Sequence, residues 1–136
     1  MSGVGGDVLE RWNACGWYQT TAMQVLSADD TGARFRMEVG AGHLQAYGTA
    51  HGGSLAGLLD AAMGLAAIAQ VDPDEGCATV EMKINYTAAV PPGEVFAEGT
   101  VITLGRRIVV ARAEATLPTG RVAAVAMGTF TRFREQ

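Results

Sequence analysis

The stretch from Leu55 to Ala69 carries apolar side chains on every side of a helical wheel, and such a helix is stable only when other structure wraps it. Leu55, Leu58, Leu59, Ala62, Leu65, Ala66 and Ala69 give the i, i+3, i+4, i+7 stripe that should face a core. One carboxylate, Asp60, lies about two turns in. Buried and ionised there, it would cost several kcal/mol unless hydrogen-bond donors met it or it had chemistry to perform. Gly57 and Gly64 stand at i−3 and i+4 from Asp60, so two side chains that would share its face are missing. Each glycine costs roughly 1 kcal/mol against alanine inside a helix. The helix therefore gives up stability either to open a slot beside Asp60 or to admit another backbone.

The residues before the helix, His51-Gly52-Gly53-Ser54, form its start, where backbone N–H groups lack intrahelical partners and the positive end of the dipole points outward. Glycine there either permits a tight turn or lets a ligand approach the backbone closely. A carbonyl oxygen held by the N–H of Gly52 or Gly53 would be polarised as in an oxyanion hole. His43 has no partner at metal-ligand spacing, and no metal site is expected.

At 136 residues, 49% hydrophobic and 18% charged, the chain fits one domain, 1–136, with a core modest enough to gain from oligomerisation. A formal net charge of −4 and the lack of a Lys/Arg run argue against nucleic acid and anionic membrane partners. Cys15 and Cys77 have neither metal-ligand spacing nor the pattern of a small secreted fold, which suggests reduced thiols and a cytoplasmic location. The start MSGVGGDVLERW lacks the basic and apolar regions of a signal peptide, and the helical run is too short and glycine-broken to span a bilayer.

In chain order, Met1–Gly6 reads as flexible, and Asp7 as the N-cap of a short helix through about Ala14 with Val8, Leu9 and Trp12 on one side. Tyr18–Ser27 and Ala33–Val39 read as a hairpin about the turn Asp29-Asp30-Thr31-Gly32. After the loop Gly40–Ala50 and the helix, Asp72–Gly76 is a turn. From Cys77 to Tyr86, Thr79, Glu81, Lys83 and Asn85 alternate with Val80, Met82, Ile84 and Tyr86. Pro91-Pro92-Gly93 turns the chain into strands at Glu94–Leu104, Arg107–Leu117 and Arg121–Phe133. The expected class is α+β: two strands, a buried helix, then four strands in a meander, the antiparallel sheet wrapping the helix. Met63 and Met82 read as core filler.

The order Gln45, Gly48, His51-Gly52-Gly53, Leu58, Asp60, Gly64 and Ala66, then Thr79-Val80-Glu81, Asn85-Tyr86, Pro92-Gly93 and Gly105-Arg106, resembles the hotdog-fold acyl-CoA thioesterases. The likeness is to the PaaI-like group of the 4-hydroxybenzoyl-CoA thioesterase superfamily and covers about Gly16–Phe133. It implies a hotdog fold, homodimers joined edge to edge and often dimers of dimers (homotetramers), active sites at the dimer interface, and no cofactor.

By matching position, the resemblance implies that Asp60 is the catalytic carboxylate, acting as general base or nucleophile, and that Gly52 supplies the polarising N–H. Gln45 stands where many relatives have Asn and would orient water or thioester; His51 would shape the thioester site, and Thr79 would hold the attacking water. Asp60 would face Gln45, His51 and Gly52 of a second subunit. Gly53, Ser54 and Gly64 are expected to contact substrate. Arg106 and Arg107, at a hairpin turn, are either solvated or, with Lys83, placed to meet the phosphates of CoA. The leading expectation is hydrolysis of an acyl-CoA; the alternatives are another hotdog activity, such as dehydration or hydration of an acyl thioester, and a non-catalytic acyl-CoA sensor.

Overall fold

The computed structural model describes residues 4–135. The elements run α1 (Gly6–Asn13), α2 (Gly16–Thr21), β1 (Met23–Asp29), β2 (Gly32–Val39), a 3-10 turn (Ala41–His43), α3 (Gly52–Ile68), β3 (Glu75–Tyr86), β4 (Gly93–Leu104), β5 (Ile108–Thr116) and β6 (Val122–Arg134). All six strands form one antiparallel sheet in the order β1-β2-β4-β5-β6-β3. The sheet curls around α3, whose Leu55, Leu58, Leu59, Ala62, Leu65 and Ala66 are buried as their spacing requires. Each leucine so buried contributes about 1.5–3 kcal/mol. This is the hotdog arrangement, an α+β fold.

Helix and sheet backbones approach closely at Gly99 on β4. A Cβ there would lie 2.3 Å from the carbonyl oxygen of Ala62, so the absent side chain lets the helix backbone rest on the strand. Gly99→Ala is expected to destabilise the fold by about 1–3 kcal/mol or more, because the obstructing atom is backbone and cannot swing aside. A lowered urea midpoint at unchanged m value would show it, and an unchanged midpoint would contradict the close packing.

Several expectations are corrected. The four later strands are not one meander: β4, β5 and β6 are consecutive neighbours, but β3 pairs with β6 at the sheet edge and β4 pairs with β2. Pro91 and Pro92 have no N–H to extend a ladder, and the segment before them anchors elsewhere, through Thr87 and Ala88 N–H to Ala123 O and through Val90 O to Ala50 N–H. Residues 18–21, expected as strand, close α2, which ends at Ala22 in the left-handed region (φ 54). Tyr18 is buried there against Phe35, at a ring-centroid distance of 5.6 Å. Gly5, not Asp7, is the N-cap of α1; Asp7 sits in the first turn, where its charge complements the dipole. Of the start expected to be flexible, Met1–Gly3 lie outside the described residues, while Val4 N–H bonds Ala28 O. β3 begins at Glu75, inside the expected turn.

That early start of β3 is pinned by Arg132 on β6, which donates to Glu75 and, at 2.7 Å, to the Gly105 carbonyl. The hydrogen bond from Arg132 holds the Glu75 carboxyl below its ordinary value of 4.5. A lowered native pKa gives stability that is complete above that ordinary value and is lost as pH falls through the native one. The urea midpoint of the wild type should therefore fall more steeply below pH 4.5 than that of Glu75→Gln, which has no proton to gain. Parallel acid limbs would remove the pair from the account.

Candidate active site

Asp60 projects from the part of α3 that the sheet leaves half-covered, and Thr79 Oγ1 donates to its Oδ1 at 2.7 Å. This contact depends on a β-bulge. Thr79 pairs with Phe130 and Glu81 with Thr129, so Val80 is an extra residue and the alternation changes phase across it. Simple alternation puts Thr79 on one face with Glu81, Lys83 and Asn85. In the structure Thr79 shares the helix side with buried Phe130, whereas Glu81 accepts from Thr129 Oγ1 on the outer face. The bulge turns a hydroxyl toward the carboxylate without reversing the rest of the strand.

The helix start forms a second cluster. His51 is the N-cap, and its Nδ1 accepts from Gly53 N–H at 2.8 Å, which leaves Nε2 as the protonated nitrogen of the neutral ring. Ser54 uses both its N–H and its hydroxyl on the His51 carbonyl. Among the described residues the Gly52 N–H has no partner, so of the two glycine amides considered it is the one left free. Tyr86 Oη donates to the Gly52 carbonyl at 2.8 Å, an anchor on the Gly52–Gly53 peptide, next to the one that carries the free N–H. His51 is itself held by its N–H to His43 O, while the His43 ring bridges Gly40 N–H and Thr21 O.

The other expected residues are dispersed. Gln45 closes its own turn, donating to Thr49 Oγ1 at 2.7 Å and accepting from Tyr47 N–H. Lys83 Nζ donates to Asn85 on the outer face. Its row of the sheet passes through Met127 to Arg112, five residues along β5 from Arg107, so about 16 Å along the strands and about 10 Å across them separate Lys83 from the Arg106-Arg107 turn. Gly57 does not open a slot: a Cβ there would lie 3.2 Å from the Trp17 indole, which covers it. Gly64 does leave space, its nearest neighbour being Phe130 at 3.6 Å.

Two residues near these clusters were given no site role by the sequence. Burial pushes the Tyr18 phenol well above its ordinary value, with the charges of Cys15 and Asp60 adding to the shift, so it remains a neutral hydroxyl near the carboxylate. Its misreading as strand hid it. Tyr86 was readable from its helix-facing place in the alternation, but its bond to Gly52 was not.

Asp60 and Gly52 are eight residues apart on one helix, about 12 Å along the axis. A general base and an oxyanion donor must each lie about 3 Å from one reacting group. Within one chain these two do not converge.

The fold and the paired clusters thus define a hotdog protein with a helix-borne carboxylate. The family profile described as Thioesterase superfamily matches residues 47–124, and the chain belongs to that superfamily, with PaaI-like hotdog architecture. It is 32% identical to conserved protein PA5202 from Pseudomonas aeruginosa, over 90% of this chain and 98% of that one, with a TM-score of 0.86. A point mutant of the phenylacetic acid degradation protein PaaI from Thermus thermophilus is 28% identical over 88% of this chain and all of that one, with a TM-score of 0.80. Thioesterase HI1161 from Haemophilus influenzae shares the fold at 19% identity, with a TM-score of 0.89 over 96% of this chain and 92% of that one. No curated protein matches the sequence. Among the described residues no helix is long and apolar enough to cross a membrane.

Proposed function

We propose that this thioesterase hydrolyses acyl-CoA to free acid and CoA, at a site assembled from Asp60 and Thr79 of one chain and His51, Gly52 and Gln45 of a second. The observation that carries the proposal is the free Gly52 N–H, fixed at a helix start about 12 Å from Asp60 on the same helix. A homodimer, alone or paired as a dimer of dimers, closes that gap.

Thr79 donates its proton to Asp60 and keeps its oxygen lone pairs to accept from a water, which favours general-base action. Asp60 takes a proton from that water as its oxygen attacks the thioester carbon. The carbonyl oxygen gains the negative charge and rests on Gly52 N–H, with His51 Nε2–H as a second donor. Collapse breaks the C–S bond, and the CoA sulfur recovers the proton from Asp60. Arg106 and Arg107, both exposed at the turn between β4 and β5, offer cations for the CoA phosphates.

The test is release of free thiol from a panel of acyl-CoA thioesters by the purified protein, with its mass followed by light scattering. Turnover by an oligomer is expected. Binding without turnover would make the chain a sensor, and an active monomer would end the two-chain site.

A further inference from the structure

A cavity of about 690 Å³ lies beyond the C-terminal half of α3, between α1, which packs on β1, and the beginning of β3 and the end of β6. Val8, Trp12, Ile68, Val71, Cys77 and Phe133 line it. Its volume falls within the range of about 300–1,000 Å³ typical of small-molecule sites. The charged side chains around it are the mutually paired Arg11 and Glu135, Glu75 and Asp72, both beside Arg132, and Asp30, which has no ion-pair partner among the described residues, so the wall disfavours an anionic tail. Burial pushes the Cys77 thiol up to about 11, so it adds no charge to the wall at neutral pH. An uncharged, elongated group suits such a chamber.

Two lines of residues lead from the chamber wall, at Cys77 and Ile68, toward Asp60. Along β3, Cys77 is two residues before Thr79 on the same side of the strand, about 7 Å away. Along α3, Asp60, Gly64 and Ile68 follow at i, i+4 and i+8, with Val71 just past the helix end, and all four are only half-buried. Gly64 is the gap in that line, with Phe130 no nearer than 3.6 Å to where a Cβ would stand.

Resting on the thioesterase reading, we infer that this cavity is the acyl chamber, and that the enzyme acts on thioesters of elongated apolar acyl groups, whose tail runs from Asp60 past Gly64 to Ile68 and Val71. The distance from Asp60 to Ile68 is about 12 Å. An extended chain advances about 1.3 Å per methylene, so about nine carbons reach the chamber and a butyryl group does not. The chamber is thus a determinant of chain length.

The experiment compares kcat/KM for butyryl-CoA and dodecanoyl-CoA in the wild type, Ile68→Trp and Val8→Trp, whose new indoles enter the chamber from α3 and from α1. The wild type should prefer the longer chain, and either folded variant should lower the dodecanoyl-to-butyryl ratio by about 10-fold or more, the scale of a single displaced methylene. An unchanged ratio, or equal loss on both substrates, in a folded variant would overturn the chamber while leaving thioester hydrolysis in place. A second readout needs no turnover: in a Cys15→Ser background, dodecanoate should slow maleimide alkylation of Cys77 several-fold and butyrate should not. Equal alkylation rates would overturn the chamber; protection in a protein that hydrolyses no acyl-CoA would support it while the hydrolase reading fails.

Discussion

Asp60→Asn is expected to lower kcat for acyl-CoA hydrolysis by about 100- to 10,000-fold, the range that a positioned general base supplies. The substitution changes almost nothing else. An amide oxygen can still accept from Thr79 Oγ1, which donates to Asp60 Oδ1 in the wild type, and no cavity opens in the half-covered surface of α3. Thermal stability and oligomeric state should stay close to wild type, and KM should move little, because binding does not use the proton that Asp60 takes up. Steady-state thiol release separates these effects. A variant within a few-fold of wild type would return Asp60 to a purely structural place beside Thr79.

The second large effect is expected at Gly52, where the functional atom is a backbone hydrogen. Gly52 is the first residue of α3, the position at which proline is best tolerated because that N–H has no intrahelical acceptor. His51, at φ −61 and ψ 139, already has the extended conformation that precedes proline. Gly52→Pro therefore deletes the donor with little cost to the helix, and should lower kcat by about 100- to 1,000-fold, as loss of one oxyanion donor does elsewhere. Gly52→Ala is the control. Its Cβ meets the Tyr86 ring at 3.2 Å, as the proline's would, but it keeps the N–H, and the half-exposed tyrosine can give by the few tenths of an ångström required. Alanine active and proline inactive, both folded, assigns the effect to the hydrogen. Equal activity would move the oxyanion contact to another group.

What could be read in the sequence was whatever depends on short-range chemistry. The apolar wheel from Leu55 to Ala66 and the glycine-bearing start at His51 are local patterns and occupy their expected places in the fold, whereas Ala69 is the half-buried C-cap and Asp60 is half-covered rather than buried. Long-range pairing was less legible. Nothing in Cys77–Tyr86 says which strand it joins, and its crossing to β6 follows from the 87–92 segment and its prolines rather than from its own alternation. The bulge at Val80 was hidden because a two-residue period reads the same on either side of one inserted residue. That bulge decides whether Thr79 reaches Asp60. Tyr18 was lost because aromatic and threonine-rich segments favour strands in isolation, whereas here the left-handed Ala22 ends a short helix and buries the ring. The hydrogen bond that occupies Gly53 and leaves Gly52 free is a matter of one side-chain rotamer, beyond any sequence pattern.

The central claim is that catalysis needs Asp60 of one chain and Gly52 of another, and mixing two inactive variants tests it. Asp60→Asn and Gly52→Pro chains, unfolded together and reassembled, give mixed dimers in which one of the two sites has both the intact carboxylate and the intact amide. Random pairing makes about half the dimers mixed, each with one working site of two, so activity should recover to about a quarter of wild type. If the mixture stays as inactive as its components although mass analysis shows mixed dimers, the two residues act within one chain or not at all, and the two-chain site is wrong.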